Sequence, residues 1–403
     1  MNIRVWIAGI CSFGLLLAGC ATSASAERHS EVLSARPRGT LDLGLIIERT
    51  TGAVLVMDST ARRVMCRVPG LGDLSHASVV FSRDARYGYV FGRDGGLTKV
   101  DLLGCRIERR IIQGGNAIGG AISQNGRVIG VSNYEPGGVR FFDAETLEFL
   151  SEITTGVTGI RSKTVGLVDA PDHQFMVALY EAGELWRIDA TDPRAPVLHR
   201  YPDAGALPYD ALISPDGRYF VAGLFGEPGM ALVDLWHPER AVRRVLDAFD
   251  KAGQKLPVYK MPHLEGCTFA GGSVFVPAVG AHEVLVVNAE DFSLRRRIPV
   301  LGQPVFTVAR PDGREIWVNF ALPDNGKIQI LDPEQGAVLE TLQPGPGALH
   351  IEFTPKGDEV YVSLRDANAV VIYDTRTRRE LGRIEADNPS GIFLAHRAAR
   401  LGQ

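Results

Sequence analysis

Four short segments of the chain carry side chains that suit chemistry better than packing. They are residues 74–78 with His76, residues 159–163 with Arg161, the pair Tyr209 and Asp210, and residues 261–266 with His263. Neutral imidazole is the commonest metal ligand in proteins, so His76 and His263 are candidate ligands; a hydrogen-bonded surface histidine is the alternative for each. Arg161 could pair with carboxylates or be a solvated cation, and Tyr209 with Asp210 could be a turn pair.

Each of these segments precedes a unit that recurs along the chain. The unit is a polar turn, often D-G or N-G, followed by an alternating apolar strand. Its seven copies are SRDARYGYV (82–90), SQNGRVIGV (123–131), APDHQFMVA (170–178), SPDGRYFVA (214–222), FAGGSVFVP (269–277), RPDGREIWV (310–318) and TPKGDEVYV (354–362). Their starts are separated by about 41 to 55 residues, near the period of a four-stranded propeller blade. His350 precedes the last copy and is a weaker candidate ligand.

An eighth unit can be assembled from the two ends of the repeat region. The apolar run at 389–394 begins a unit whose remaining strands are missing, and the runs at 45–48 and 53–58 supply them. Closing a ring in this way removes free sheet edges. The sequence therefore predicts an all-β fold, an eight-bladed β-propeller over residues 40–403, with seven blades as the alternative. Helical periodicity is confined to residues around 245–255, so little helix is expected.

The N-terminal residues read as an export signal. Residues 1–26 combine Arg4 with a short apolar run and two competing cleavage sites, and residues 27–39 read as a linker. The lipobox at 17–20 would make Cys20 a lipidated first residue, whereas the small residues at 24–26 suit ordinary signal peptidase. We favour the lipobox, which predicts a periplasmic protein anchored to the outer membrane through Cys20, because Ala21 is not the aspartate that retains lipoproteins at the inner membrane.

Composition and absent motifs exclude several classes of function. The 43 basic and 47 acidic residues give a net charge of −4, which does not indicate a nucleic-acid surface. Outside the export segment, Cys66, Cys105 and Cys267 allow at most one disulfide. The sequence contains no CxxCH, GxSxG, Walker or HExxH motif, so covalent c-type haem, a serine-hydrolase elbow and a nucleotide loop are excluded.

Several of these segments together resemble the cytochrome cd1 nitrite reductases. Residues 75–95 are similar to the reductase segment that carries the proximal histidine of haem d1 and a following G-R-D-G turn; His76 matches that histidine and Arg93 the arginine of the turn. Residues 209–220 resemble the segment with one distal-pocket histidine, which Tyr209 replaces here. Met261-Pro262-His263 resembles the segment with the second, which His263 keeps. The closing run at 389–393 is also similar.

This resemblance implies a ligand and a set of residue roles. The ligand is haem d1 or dihydro-haem d1, held without a covalent bond. His76 would be its axial iron ligand, and Arg93 and Arg161 would neutralise ring carboxylates. Tyr209 and His263 would lie on the opposite face, where they could act as acid or base, and Asp210 would be a further cofactor-binding residue.

The departures from the reductase pattern matter equally. The chain lacks the c-type cytochrome domain of the reductases, so it resembles the stand-alone haem d1 biosynthesis members of this family. The implied partners are cytochrome cd1 nitrite reductase and dihydro-haem d1 dehydrogenase, within nitrite reductase maturation for denitrification. Whether the tetrapyrrole is carried or transformed by a dehydrogenase-type activity stays open at this point, as does a propeller that binds no haem and serves protein interaction only.

Overall fold

The structure, a computed structural model, describes residues 39–247 and 266–402 of the 403-residue chain. The predicted signal peptide, the linker, Cys20 and His263 lie outside these residues. In the described part the strands form eight four-stranded antiparallel sheets, which are the blades of a β-propeller. The eight-bladed prediction is confirmed, and the seven-bladed alternative is wrong.

The strands are numbered along the chain, and the blades from the first that is continuous in sequence. The chain begins with β1 (Leu43–Glu48), β2 (Ala53–Asp58) and β3 (Arg63–Pro69). Blade 1 contains β4 (Ser78–Phe81), β5 (Tyr87–Phe91), β6 (Gly96–Asp101) and β7 (Arg106–Ile112). Blade 2 contains β8 (Asn116–Ile122), β9 (Val128–Glu135), β10 (Val139–Asp143) and β11 (Phe149–Ile153). Blade 3 contains β12 (Thr164–Ala170), β13 (Gln174–Leu179), β14 (Glu184–Asp189) and β15 (Val197–Tyr201). Blade 4 contains β16 (Pro208–Ile213), β17 (Tyr219–Leu224), β18 (Met230–Asp234) and β19 (Arg243–Val245).

The second half of the chain repeats this pattern. Blade 5 contains β20 (Thr268–Ala270), β21 (Ser273–Ala278), β22 (Glu283–Asn288) and β23 (Leu294–Pro299). Blade 6 contains β24 (Pro304–Ala309), β25 (Ile316–Phe320), β26 (Ile328–Asp332) and β27 (Ala337–Leu342). Blade 7 contains β28 (Ala348–Phe353), β29 (Glu359–Leu364), β30 (Ala369–Asp374) and β31 (Glu380–Glu385). Blade 8 combines β32 (Pro389–Leu394) with β1, β2 and β3.

Helix is limited to short 3₁₀ turns in the part of the chain that the structure describes. They span Thr40–Asp42, Thr155–Thr158, Val279–Ala281, Arg365–Ala367 and Ala395–Ala399. Of the segment with helical periodicity, Val245 ends β19, and the residues from 248 to 255 lie outside the described ranges. No helix among residues 39–247 and 266–402 is long and apolar enough to cross a membrane.

The ring closes between strands from the two ends of the chain, as predicted. β32 pairs antiparallel with β1, with Leu394 opposite Gly44 and Ile392 opposite Ile46. A disulfide between Cys66 on β3 and Cys105 in the turn between β6 and β7 then joins blade 8 to blade 1. Cys267, the other cysteine in the described residues, is buried with a free thiol. Closure therefore has a non-covalent part at the inner strands and a covalent part at the periphery.

The core lies between the blades rather than within them. Successive side chains of a strand point to opposite faces of its sheet, so each blade contributes one apolar face to each neighbour. On β4, for example, Val79 and Phe81 pack toward blade 8, whereas Val80 packs toward blade 2. In the described residues this produces eight buried clusters, one at each interface between adjacent blades.

The C-terminal segment crosses one end of the central channel. After β32, Arg397 pairs with Glu352 of blade 7, and the guanidinium of Arg83 in blade 1 donates to the Ala398 carbonyl at 2.8 Å. Leu401 then packs against the cluster between blades 3 and 4. Because these contacts lie on several sides of the ring, residues 395–402 form a floor across this end, which we call the lower end.

Candidate functional site

A cavity of about 380 Å³ occupies the centre of the ring. Its walls are residues of the innermost strands, many of them apolar or small, such as Val79, Gly119, Leu167 and Ala211. Arg397 and Gly402 of the C-terminal segment also line it. A concave, largely apolar site with a few polar groups is the usual form of a small-molecule site.

Two sets of loops meet at the end of the channel opposite the floor, which we call the upper face. Because the strands are antiparallel, the start of an inner strand lies beside the end of the second strand of its blade. Ser78 is opposite Phe91 in blade 1, and Ala348 is opposite Leu364 in blade 7. The loop before each inner strand therefore shares the upper face with the turn after the second strand.

A repeated β-bulge places side chains in the cavity. In five inner strands two consecutive residues oppose a single residue of the second strand, and the bulges are Gly166 and Leu167, Tyr209 and Asp210, Val305 and Phe306, Leu349 and His350, and Ser390 and Gly391. All of these except Tyr209 line the cavity. A bulge kinks the strand and turns a side chain out of the regular alternation. It gives each of these blades a position that points into the channel.

His76 lines this cavity from the loop before β4. The loop is held from two sides, because the Arg93 amide donates to the Asp73 carbonyl at 2.8 Å and the Leu71 amide to the Gly52 carbonyl at 2.9 Å. Side-chain and backbone hydrogen bonds from Ser75 lower the pKa of Asp73, which keeps this carboxylate ionised beside the histidine loop. The predicted ligand histidine thus lies on a fixed loop at the cavity, with an exposed ring.

Two arginines that the sequence analysis missed also line the cavity. Arg49 follows β1, and Arg365 follows β29. Burial lowers the pKa of Arg49 and the nearby charge of Arg365 lowers it further, while Asp73 and Asp366 act in the opposite sense. Arg365 forms an ion pair with Asp366, whereas Arg49 has no hydrogen bond or ion pair to any residue in the described ranges. Two cations therefore share one part of the wall, and an anionic ligand would relieve their repulsion.

Arg93 lies beside a second polar group, formed by Tyr134 and Tyr209. The hydroxyl groups of the two tyrosines are hydrogen-bonded, and the charge of Arg93 lowers the pKa of both, although burial raises each pKa more strongly. Arg93 is partly buried and is not among the lining residues of the cavity. Asp210, in the same bulge as Tyr209, is buried and does line it.

The predictions for Arg161 and His263 have different outcomes. The Arg161 side chain is 67% exposed and faces Glu135 at 3.9 Å, so the structure does not bring it together with the cavity-lining residues. His263 lies outside the described residues, and its assignment stays a prediction.

His350 lies in the cavity wall within β28, not in a loop before it. The Ile392 amide donates to its Nδ1 at 2.7 Å, so the neutral ring carries its proton on Nε2. A protonated nitrogen has no lone pair for a metal, which makes His350 a hydrogen-bond donor in this arrangement.

Two residues further along β28, burial raises the pKa of Glu352, but the charge and hydrogen bonds of Arg397 outweigh it and lower the pKa to about 2.

Two hydroxyl groups in the wall fit a polar ligand. The Oγ atoms of Ser78 and Ser390 are buried and have no hydrogen-bond partner within the described residues, and both serines line the cavity. Buried polar atoms without partners are uncommon in folded proteins, so these two are candidates to bind a ligand. The described residues contain no cluster of three or more His, Cys, Asp or Glu side chains that could hold a metal ion by themselves.

The fold and this site define a class of protein. Residues 38–398 match the family model described as the cytochrome D1 heme domain. The chain belongs to this family.

The chain is similar over most of its length to two members of one group of proteins and to one solved structure. The chain is 58% identical to protein NirF of Pseudomonas aeruginosa over 91% of its length and 94% of the relative, and 54% identical to protein NirF of Stutzerimonas stutzeri over the same shares. Among solved structures it is similar to dihydro-heme d1 dehydrogenase NirN in complex with DHE, with a TM-score of 0.78 and 26% identity, covering 90% of this chain and 78% of that one.

Proposed function

We propose that this protein binds haem d1 or its dihydro precursor in the central cavity, as a late-step factor of haem d1 biosynthesis for nitrite reductase maturation in denitrification. The observation that carries the proposal is His76, whose imidazole lines the same cavity as Arg49 and Arg365. Family membership and the similarity to a dehydrogenase named for dihydro-heme d1 support the same ligand class.

The residues present fit an iron tetrapyrrole with several carboxylates. His76 would supply the axial nitrogen that fixes the orientation of the iron and tunes its electronic properties. Arg49 and Arg365 would bind carboxylates, which guanidinium groups recognise through two parallel hydrogen bonds. The apolar walls would cover the macrocycle, and the hydroxyl groups of Ser78 and Ser390 could bind its polar substituents.

An absorbance titration with haem d1 tests this function. We expect saturable binding by the wild-type protein, and for His76→Ala an affinity at least about tenfold lower with an altered Soret band, because the axial nitrogen is lost. His199→Ala is the matched control, since His199 is exposed on the outermost strand of blade 3. Equal affinity and spectra for His76→Ala and the wild type would contradict the assignment. A wild-type protein that binds no haem d1 would leave only the protein-interaction propeller.

We favour a carrier that holds the tetrapyrrole and transfers it to a partner. The second candidate is an enzyme of dehydrogenase type, and the hydroxyl pair of Tyr134 and Tyr209 favours it, because a phenol beside the cavity could exchange a proton. The oxidation would need an external electron acceptor, and His263 would serve as the other acid or base. Mass analysis of the tetrapyrrole after incubation distinguishes the two, since conversion beyond one equivalent requires an enzyme.

The cellular setting is part of the proposal. The disulfide between Cys66 and Cys105 supports a periplasmic location, because such bonds persist in oxidising compartments. Lipidation of Cys20 would anchor the chain to the outer membrane, and labelling with a radioactive fatty acid tests it against Cys20→Ala. Cytochrome cd1 nitrite reductase and dihydro-haem d1 dehydrogenase are the proposed partners, and co-purification of each with the tetrapyrrole-loaded protein tests them.

A further inference from the structure

Arg83 occupies a turn position that other copies of the repeat give to proline. It is the second residue of the turn between β4 and β5, and the equivalent residues of blades 4, 6 and 7 are Pro215, Pro311 and Pro355. Proline suits the second position of a tight turn because its φ is already fixed near the required value. The turn itself therefore does not require arginine, and the reason for this side chain lies in its contacts.

The guanidinium of Arg83 binds three parts of the lower end at once. It donates to the carbonyl oxygens of Ile122 and Ser123 in blade 2, each at 2.9 Å, and to the Asp169 carboxylate of blade 3 at 3.3 Å. It also donates to the Ala398 carbonyl of the floor at 2.8 Å. Only 23% of the Arg83 side chain is exposed, and hydrogen bonds from a charged group are among the stronger ones in proteins. One side chain thus ties the floor to two blades besides its own.

The floor is also anchored on other sides of the ring. Arg397 forms its buried ion pair with Glu352 of blade 7, and Ala398 packs in the cluster between blades 8 and 1. At the far end, Gly402 lies so close to blade 4 that a Cβ there would be 2.4 Å from Cγ2 of Ile213. Because blades 8 and 4 face each other across the channel, the floor spans its full width.

The cavity extends from this floor to the upper face. Its lining includes Arg397 and Gly402 of the floor, and also His76 and Arg49 from the loops of the upper face. The side chain of His76 is exposed, so the upper end of the cavity is in contact with solvent. The two ends therefore differ: one carries the loops with the candidate ligand-binding residues, and the other is covered by a segment with contacts on several blades.

We propose that residues 395–402, held in place by Arg83, close the lower end of the channel, so that the ligand enters and leaves the cavity only through the upper face. Arg83 is then a positioning residue, which acts on the ligand through the floor. This inference rests on the proposed function for the identity of the ligand. It implies that a protein that takes over the ligand must approach the upper face.

Arg83→Pro separates the contacts of the side chain from the turn. It gives residues 82–84 the sequence S-P-D, which residues 214–216 have in blade 4. The same backbone hydrogen bond closes both turns, donated by Ala85 at 2.7 Å in blade 1 and by Gly217 at 2.8 Å in blade 4. We therefore expect this variant to fold with its turn intact and to lose only the bonds of the guanidinium.

Hydrogen exchange measures the floor without any ligand. We expect the amides of residues 395–402 to exchange at least about tenfold faster in Arg83→Pro than in the wild type, as for the loss of one charged hydrogen bond. Arg86→Ala is the matched control, because Asp101 keeps its second partner Arg106, and it should leave this exchange within about twofold. Equal exchange of the floor in Arg83→Pro and the wild type would refute the role of Arg83. If the wild type binds no haem d1, the proposed function fails, and this measurement still decides what Arg83 holds.

Stopped-flow kinetics with haem d1 test the closure, with apomyoglobin as the acceptor of released ligand. A second opening lowers the barrier to entry and to release alike, whereas damage to the site accelerates release alone. We expect Arg83→Pro to raise the association and dissociation rate constants together, each at least about threefold, with Kd within about twofold of the wild type. Gly402→Ala, which crowds Ile213 at a φ of +78°, should raise both rate constants in the same way. Unchanged rate constants in Arg83→Pro, or faster release without faster association, would overturn the proposal.

Discussion

We expect the buried ion pair between Glu352 and Arg397, which holds the floor of the cavity, to make a measurable contribution to the free energy of unfolding. The two side chains are each 5% exposed, and Arg397 donates to both carboxylate oxygens, at 2.9 and 2.6 Å. Glu352→Gln removes the charge and keeps the shape. It leaves the guanidinium of Arg397 buried beside a neutral amide, in the segment that closes the lower end of the channel.

Two estimates of the cost agree. Removing one partner of a buried ion pair typically costs about 3–5 kcal/mol. Independently, a fall in the pKa of Glu352 from 4.5 to about 2 corresponds to about 3 kcal/mol at roughly 1.4 kcal/mol per pKa unit. Because the folded state lowers this pKa, the stabilisation is complete above the unfolded value of 4.5 and is lost as the pH falls toward 2.

Denaturant unfolding at pH 7 and at pH 3 measures both effects. We expect Glu352→Gln to lower the free energy of unfolding by about 3 kcal/mol at pH 7 and by much less at pH 3, where the wild type has lost part of the contribution. Glu380→Gln is the matched control: its ion pair with Arg383 is exposed, with 39% and 44% of the side chains accessible, and should be worth under about 1 kcal/mol. If Glu352→Gln costs no more than Glu380→Gln, the account of the floor is wrong.

Two further substitutions test the bulges and the closure of the ring. Gly166→Ala would place a Cβ 2.7 Å from the Ala211 nitrogen at a φ of +60°, and we expect a loss of roughly 1–3 kcal/mol in thermal or denaturant unfolding; an unchanged midpoint would contradict the close approach. Replacing Cys66 and Cys105 by serine removes a disulfide that closes a loop with a sequence separation of 39 residues. From the entropy of loop closure, we expect a loss of about 4 kcal/mol in the free energy of unfolding. Reductant should destabilise the wild type by a similar amount and leave the double variant unchanged, and a reductant effect on the double variant would point to another cause.

The sequence predicted the architecture because the repeat encodes it locally. Each copy contains the turn between the inner and the second strand of a blade, and Gly217, with a φ of +73°, shows why a D-G turn recurs there. Closure was also predictable, since the apolar run of β32 has no partner strand in its own neighbourhood and β1 supplies one. These features depend on turn chemistry and on a period of two, both of which are visible in a single sequence.

Part of the candidate site lies in the turns after the second strands, whereas most of the predicted site residues lie before the inner strands. Arg49 and Arg365 come directly after the second strand of a blade, and Arg93 comes two residues after one. Aligning that second turn across the units would have grouped them. Of the three, Arg93 was found only through the family resemblance, and the other two were missed.

The bulges explain why the remaining site residues could not be found from the pattern alone. In a regular inner strand, successive side chains point alternately toward the two neighbouring blades, so neither face of the strand is directed into the channel. The extra residue of a bulge breaks that alternation at the same height in several blades, and the identities of the bulged residues, such as Asp210, Phe306 and His350, differ from one blade to the next. The position of the bulge, which several blades share, therefore determines where a side chain can enter the cavity. The residue at that position differs between blades and determines the chemistry of the side chain. Asp210, Phe306 and His350 line the cavity and belong to none of the buried clusters between blades in the described residues, so variation at these three positions changes the site and not those interfaces. Leu167 and Tyr209, by contrast, also pack against such clusters.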